Sequence, residues 1–134
     1  MKKKVFLGQA VTGCDFDSLK EESLEIVDLF KSKGLGCYCT LCEGKEFQSN
    51  SKKEIFKHAF EIIDESDILL AVQRNENKSE GLLIEIGYCM ANNKKVIIAM
   101  QKDVNKTYLP DLFDEVIIFD DFEDLKNKLK DYKF

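Results

Sequence analysis

Short apolar runs alternate with longer amphipathic stretches from one end of this chain to the other, and that alternation limits the fold more than any other property. Lys4–Leu7 reads as a first strand and Gly8–Gly13 as a loop. Ser18 with Glu21 has the form of a capping box for a helix that carries Leu19, Ile26, Val27 and Phe30, closed by Gly34 and Gly36. A second strand is expected at Cys37–Leu41, then a polar stretch to Asn50. A second capping box, Ser51 with Glu54, opens a helix striped by Ile55, Phe56, Ala59, Ile62 and Ile63. Asp67–Val72 is a buried strand, Gln73–Glu80 a polar loop, and 81–92 a helix. Lys95–Met100 is the fourth strand, Pro110 breaks the next segment, and Val116–Phe119 is the fifth strand before a charged helix over 122–132. No repeat or linker interrupts the series. Strands that alternate with helices are joined by crossovers, which makes the sheet parallel and covers both its faces. The expectation is an α/β fold with a five-stranded parallel sheet in flavodoxin-like order, 2-1-3-4-5. In that order the chain reverses direction between strands 1 and 3, and a crevice opens at their carboxyl ends. The loops bordering it are Gly8–Gly13 and 74–81.

Composition removes several function classes. A formal net charge of −5 gives no broad attraction to a nucleic acid polymer, so any anionic ligand must be held by local donors. The longest apolar runs, such as Val96–Met100, are far too short to span a bilayer, so no membrane partner is expected. Met1-Lys2-Lys3-Lys4 leads straight into a strand with no leader-like apolar segment, and the expected location is cytoplasmic. The five cysteines fit reduced thiols in a reducing compartment. Cys37, Cys39 and Cys42 form C-x-C-x-x-C, but a structural zinc site wants a second ligand pair, and none follows. Neither a metal nor a cofactor is expected.

One residue is out of place. Glu85 interrupts the apolar run Leu82-Leu83-Ile84-Glu85-Ile86, one turn into the helix that leaves the second crevice loop. The start of that helix offers free N–H groups and a positive dipole end, which together suit phosphate. Ser79 adds a hydroxyl, Lys78 a charge, and Gly81 room for close approach. The dipole also favours ionised Glu85, and an ionised carboxylate at a cleft can attack an oxocarbenium-like carbon, as in glycoside cleavage. Dipole compensation at a solvated helix edge is the other reading of the same residue. The Gly8–Gly13 loop is equally compatible with an ordinary turn after a strand.

The stretch Ser79-Glu80-Gly81-Leu82-Leu83-Ile84-Glu85-Ile86-Gly87-Tyr88 has the form S-x-G-x-x-x-E-x-G. It resembles the signature of the nucleoside 2-deoxyribosyltransferase family, which includes 2′-deoxynucleoside 5′-phosphate N-hydrolases. The likeness extends to the glycine loop after the first strand, to Ser66–Val72, and to Asn93–Ile97. It implies one such domain over residues 1–134 and a small-molecule nucleoside or nucleotide as partner. Glu85 would be the nucleophile at C1′ of the sugar. Ser79 and Gly81 would bind substrate, with Gly8, Gln9 and Gly13 at its sugar or phosphate and Asp67 fixing the loop. A serine at position 79 resembles the hydrolase branch. The resemblance further implies a homodimer or larger homo-oligomer in which a neighbour completes each site, with Thr107 the candidate for the donated group. The chain also departs from the family. The first loop lacks the hydrolases' arginine, and Ala59 stands where they carry an aspartate. His58, the one histidine, is the candidate proton donor in its stead, or else an ordinary helical residue. The leading expectation is hydrolysis of a 2′-deoxynucleoside 5′-monophosphate to free base. Exchange of bases by a transferase and a nucleotide-binding module without catalysis are the alternatives.

Overall fold

The structure, a computed structural model, describes residues 2–134. Its five strands are β1 (Lys4–Gln9), β2 (Gly36–Tyr38), β3 (Ile68–Gln73), β4 (Lys95–Gln101) and β5 (Val116–Phe119). All neighbouring pairs are parallel, and the order is β2-β1-β3-β4-β5. The expected topology is therefore present, and the register between β1 and β3 (Gly8 opposite Ala71, Gln9 opposite Val72) sets the two crevice loops side by side.

The helices are α1 (Phe16–Ser32), α2 (Gly44–Gln48), α3 (Lys52–Asp64), α4 (Glu80–Ala91) and α5 (Phe122–Asp131). Alternate strand residues face opposite layers. Val5, Leu7, Leu70, Val72 and Ile97 pack with Leu19, Ile26 and Phe30 of α1 and Leu125 and Leu129 of α5. Phe6, Leu69, Ala71 and Ile98 pack with Ala59 and Ile63 of α3 and Leu82, Ile86 and Cys89 of α4. With both faces covered, the central strand β3 is buried at every position, which is why its sequence is continuously apolar rather than alternating.

Several element ends differ from expectation. The first helix is capped by Asp15, whose carboxylate accepts from Ser18 N at 2.9 Å, so it begins before Ser18. Ser51 does cap α3, accepting from Glu54 N at 3.2 Å. β2 ends at Tyr38 rather than Leu41. Thr40–Glu43 turns instead into a 3₁₀ segment, with Cys42 N donating to Cys39 O at 3.0 Å, and the short helix α2 follows in the stretch expected to be a polar connection. β2 pairs on one side only, so the chain is free to leave the sheet early. Cys39 thus sits in the turn, not on a strand. Among the described residues no helix is long and apolar enough to cross a membrane, and no group of three or more His, Cys, Asp or Glu is gathered as metal ligands.

Candidate active site

At the carboxyl ends of β1 and β3 lies a cleft of about 740 Å³. β1 and its loop contribute Gly8, Gln9, Val11 and Thr12. The turn after β2 and the short α2 contribute Cys39, Thr40, Leu41 and Gln48. The first turns of α3 bring Lys52, Lys53, Ile55 and Phe56, and the start of α4 brings Lys78 through Leu82, with Ile84 and Glu85. Parallel crossovers place the starts of α3 and α4 at the same sheet edge, side by side. A Cβ on Gly81 would stand 3.4 Å from the ring of Phe56.

Glu85 reaches across the end of β1. An added Cβ on Gly8 would lie 3.1 Å from Glu85 Oε1, 2.9 Å from Leu82 Cδ1 and 3.2 Å from Leu69 Cδ1. Glycine at position 8 is what lets the carboxyl settle there. Among the described residues nothing donates a hydrogen bond to it and no cation pairs with it. Burial therefore dominates and pushes its pKa up to about 8, with the nearby Cys39 thiol adding to the rise. This corrects the expectation that the helix dipole keeps Glu85 ionised. Loss of hydration outweighs a dipole whose nearest turn is partly open to water, and the free protein holds this carboxyl mainly protonated at neutral pH. Burial raises the Cys89 thiol to about 11, with Glu85 adding to the rise.

Ser79 is buried at 4% exposure, and its hydroxyl makes no capping bond to the helix it precedes. It lines the cleft together with Gly81 and Lys78. Ser79 and Lys78 also line a neighbouring cavity of about 180 Å³, with Thr107 and Lys106 on its far side. Thr107 belongs to that second cavity and its Oγ1 accepts from Leu109 N at 3.2 Å.

Four sequence-derived candidates sit differently from expectation. Gly13 does not line the cleft. It has φ near +79°, and a Cβ would come within 2.2 Å of Asn77 Nδ2, so the glycine locks the first loop against the second. Gln9 lines the cleft, but its amide is committed elsewhere, donating to Ser23 Oγ at 3.0 Å and accepting from Arg74 at 2.5 Å. Asp67 lies at the opposite, amino-terminal edge of the sheet. There its carboxylate accepts from Lys4 N at 2.9 Å, a bond that ties β3 to β1 and leaves the residue far from any substrate in the cleft. His58 is also outside the cleft lining. Its ring packs against Tyr38 and Phe47 at centroid distances of 5.9 and 5.3 Å, because it falls on the flank of α3 that faces β2 and α2. Sequence reasoning missed Cys39, Thr40, Gln48, Lys52, Lys53 and Phe56, which reach the cleft only because the chain turns out of the sheet after Tyr38. The capping box before Lys52 was the one local signal that could have pointed there.

The sequence profile of the nucleoside 2-deoxyribosyltransferase family matches residues 17–129, most of the chain. The chain belongs to this family. It is accordingly an enzyme of that family, and the expectation of a nucleoside or nucleotide partner holds at that level. Among solved structures it is similar to the CMP N-glycosidase of Clostridium botulinum, at 23% identity and a TM-score of 0.72, covering 97% of this chain and 100% of that one. It is similar also to a 2-deoxyribosyltransferase from Bacillus psychrosaccharolyticus, at 18% identity and a TM-score of 0.65, over 98% and 93% of the two chains. A third similar structure, the 2-desoxiribosyltransferase of Leishmania mexicana, gives 18% identity and 0.65 over 98% and 99%. At such identities the structures speak for the fold. Compared by sequence, no curated protein matches the chain.

Proposed function

We propose that this family member cleaves the N-glycosidic bond of a 2′-deoxynucleoside 5′-monophosphate, with Glu85 as nucleophile and water as final acceptor. The observation that carries this reading is the placement of the Glu85 carboxyl: inside the cleft, over Gly8, and bonded to nothing among the described residues. A carboxyl kept without partners in a buried place costs stability, so a ligand that employs it accounts for its presence. Ser79 and the first N–H groups of α4 hold the phosphate one turn away, which sets C1′ beside the carboxyl. Attack of one Glu85 oxygen on C1′ forms a glycosyl ester as the carbon–nitrogen bond breaks and the base leaves with its electron pair. Water then opens the ester and releases the sugar phosphate. The family aspartate is absent and His58 packs away from the cleft, so no side chain is assigned here as acid for the base. The similar CMP N-glycosidase, which by its name takes a nucleotide, supports hydrolysis of a nucleotide, whereas the two similar transferases support exchange of bases as the second reading. A neighbouring copy, in a homodimer or larger assembly, would close the cleft.

A panel of nucleosides and their 5′-monophosphates separates these readings. Free base released from a monophosphate supports hydrolysis. Label appearing on an added second base supports transfer, and neither product with retained binding supports a non-catalytic module. Undiminished base release by Glu85→Ala would overturn the nucleophile.

A further inference from the structure

At the start of α4, the phosphate that the proposed reaction requires meets one cation, Lys78. Glu80 stands at that helix start, and the chain as a whole carries −5. The first loop, Gly8 to Gly13, contains no cation. Arg74, the basic residue of the second loop before Lys78, is committed: its guanidinium donates to Glu22 at 2.8 and 3.2 Å and to Gln9 at 2.5 Å.

Two further cations do line the cleft. Lys52 and Lys53 form the first turn of α3, and among the described residues neither makes an ion pair or a side-chain hydrogen bond. Phe56, one turn further along α3, lies against Gly81 in the first turn of α4. The lysines therefore line the same cleft as Ser79, where two helix starts converge on one space.

Resting on the function proposed above, we infer that Lys52 and Lys53 grip the substrate's 5′-phosphate from the α3 side, facing Ser79 on α4, and so make the site selective for nucleotides over nucleosides. Lysine suits this place as a point charge on a flexible stem that folds over a bound phosphate. These lysines are substrate-binding groups, and the chemical step at C1′ does not use them.

The test is calorimetric binding of the four 2′-deoxynucleoside 5′-monophosphates and their nucleosides to Glu85→Gln, with and without Lys52→Ala plus Lys53→Ala, beside base-release assays on the unaltered protein. The lysine changes are expected to weaken monophosphate binding by about tenfold to a hundredfold. Nucleoside binding should stay unchanged, the salt dependence of monophosphate binding should shrink, and Lys52→Arg plus Lys53→Arg should restore the preference. Monophosphate binding that survives the alanine changes overturns the inference, and so does an equal loss for nucleoside and monophosphate. If the unaltered protein releases no base yet the lysine changes abolish the phosphate preference, this inference stands and the hydrolase reading falls.

Discussion

On one side of the end of β1, the amide of Gln9 is fully occupied, held between Ser23 and an Arg74 that itself pairs with Glu22. On the other side, one residue earlier, Gly8 makes room for a carboxyl with no partner among the described residues. After β2, the buried hydroxyl of Thr40 in the cleft lining lacks a hydrogen bond, as does that of Tyr38. Polar groups in a low-dielectric interior stabilise a fold when every member is satisfied and cost free energy when it is not. The Gln9–Arg74–Glu22 cluster accordingly fixes the two crevice loops, whereas the Glu85 side is left open for a ligand. Adjacent positions of one strand thus serve opposite ends, because they face opposite layers of the sheet.

The contrast breaks most sharply at Glu85. Glu85→Gln should lower base release by at least about 10³-fold, since Glu80, the other carboxylate of the cleft lining, stands exposed at the helix start rather than over Gly8. Its unfolding midpoint at neutral pH should not fall. A midpoint loss like that of a core mutation would show that the carboxyl is structural after all.

The pH dependence follows from the same group. Its folded pKa of about 8 lies above the ordinary carboxylate value, so the folded protein keeps a proton that the unfolded chain has released. Stability from this protonation is full at pH values below the unfolded pKa, near 4.5, and is lost as pH rises through about 8. Chemical denaturation from pH 5 to 9 should show a downward slope of up to about 1.4 kcal/mol per pH unit from this group, absent in Glu85→Gln. The nucleophile must be ionised, so the rate of base release should climb across the range in which stability declines.

On the satisfied side, Arg74→Met should cost about 2–3 kcal/mol in urea denaturation, because Gln9 and the half-buried Glu22 lose their donors together. A cost under about 0.5 kcal/mol would erase the distinction drawn here. The smallest effect belongs to Tyr38→Phe. Removing an unpartnered buried hydroxyl should change stability by less than about 1 kcal/mol, in either direction, against the larger loss expected from a bonded one.

Much of this architecture was legible in the sequence. The period of apolar residues gave every strand and the four long helices to within a few residues, and β5 at Val116–Phe119 without error. Topology then directed attention to the crevice, and the spacing of Ser79, Gly81 and Glu85 brought those three to it. Asp67 and His58 have suitable chemistry, yet one is at the wrong edge of the sheet and the other on the wrong flank of its helix. The first follows from Asp67 standing before β3 while the crevice lies at the strands' carboxyl ends. The second is a matter of side-chain direction, which local spacing does not show.

The sequence by itself determined the sheet, its order and the location of an acidic residue near a helix start, because period and capping are local properties that hydrophobic burial then enforces. Only the tertiary structure decided the charge state of Glu85 and the membership of the cleft. Desolvation depends on which residues close around a group, and the turn that brings Cys39, Thr40 and the α3 lysines there is set by packing far along the chain.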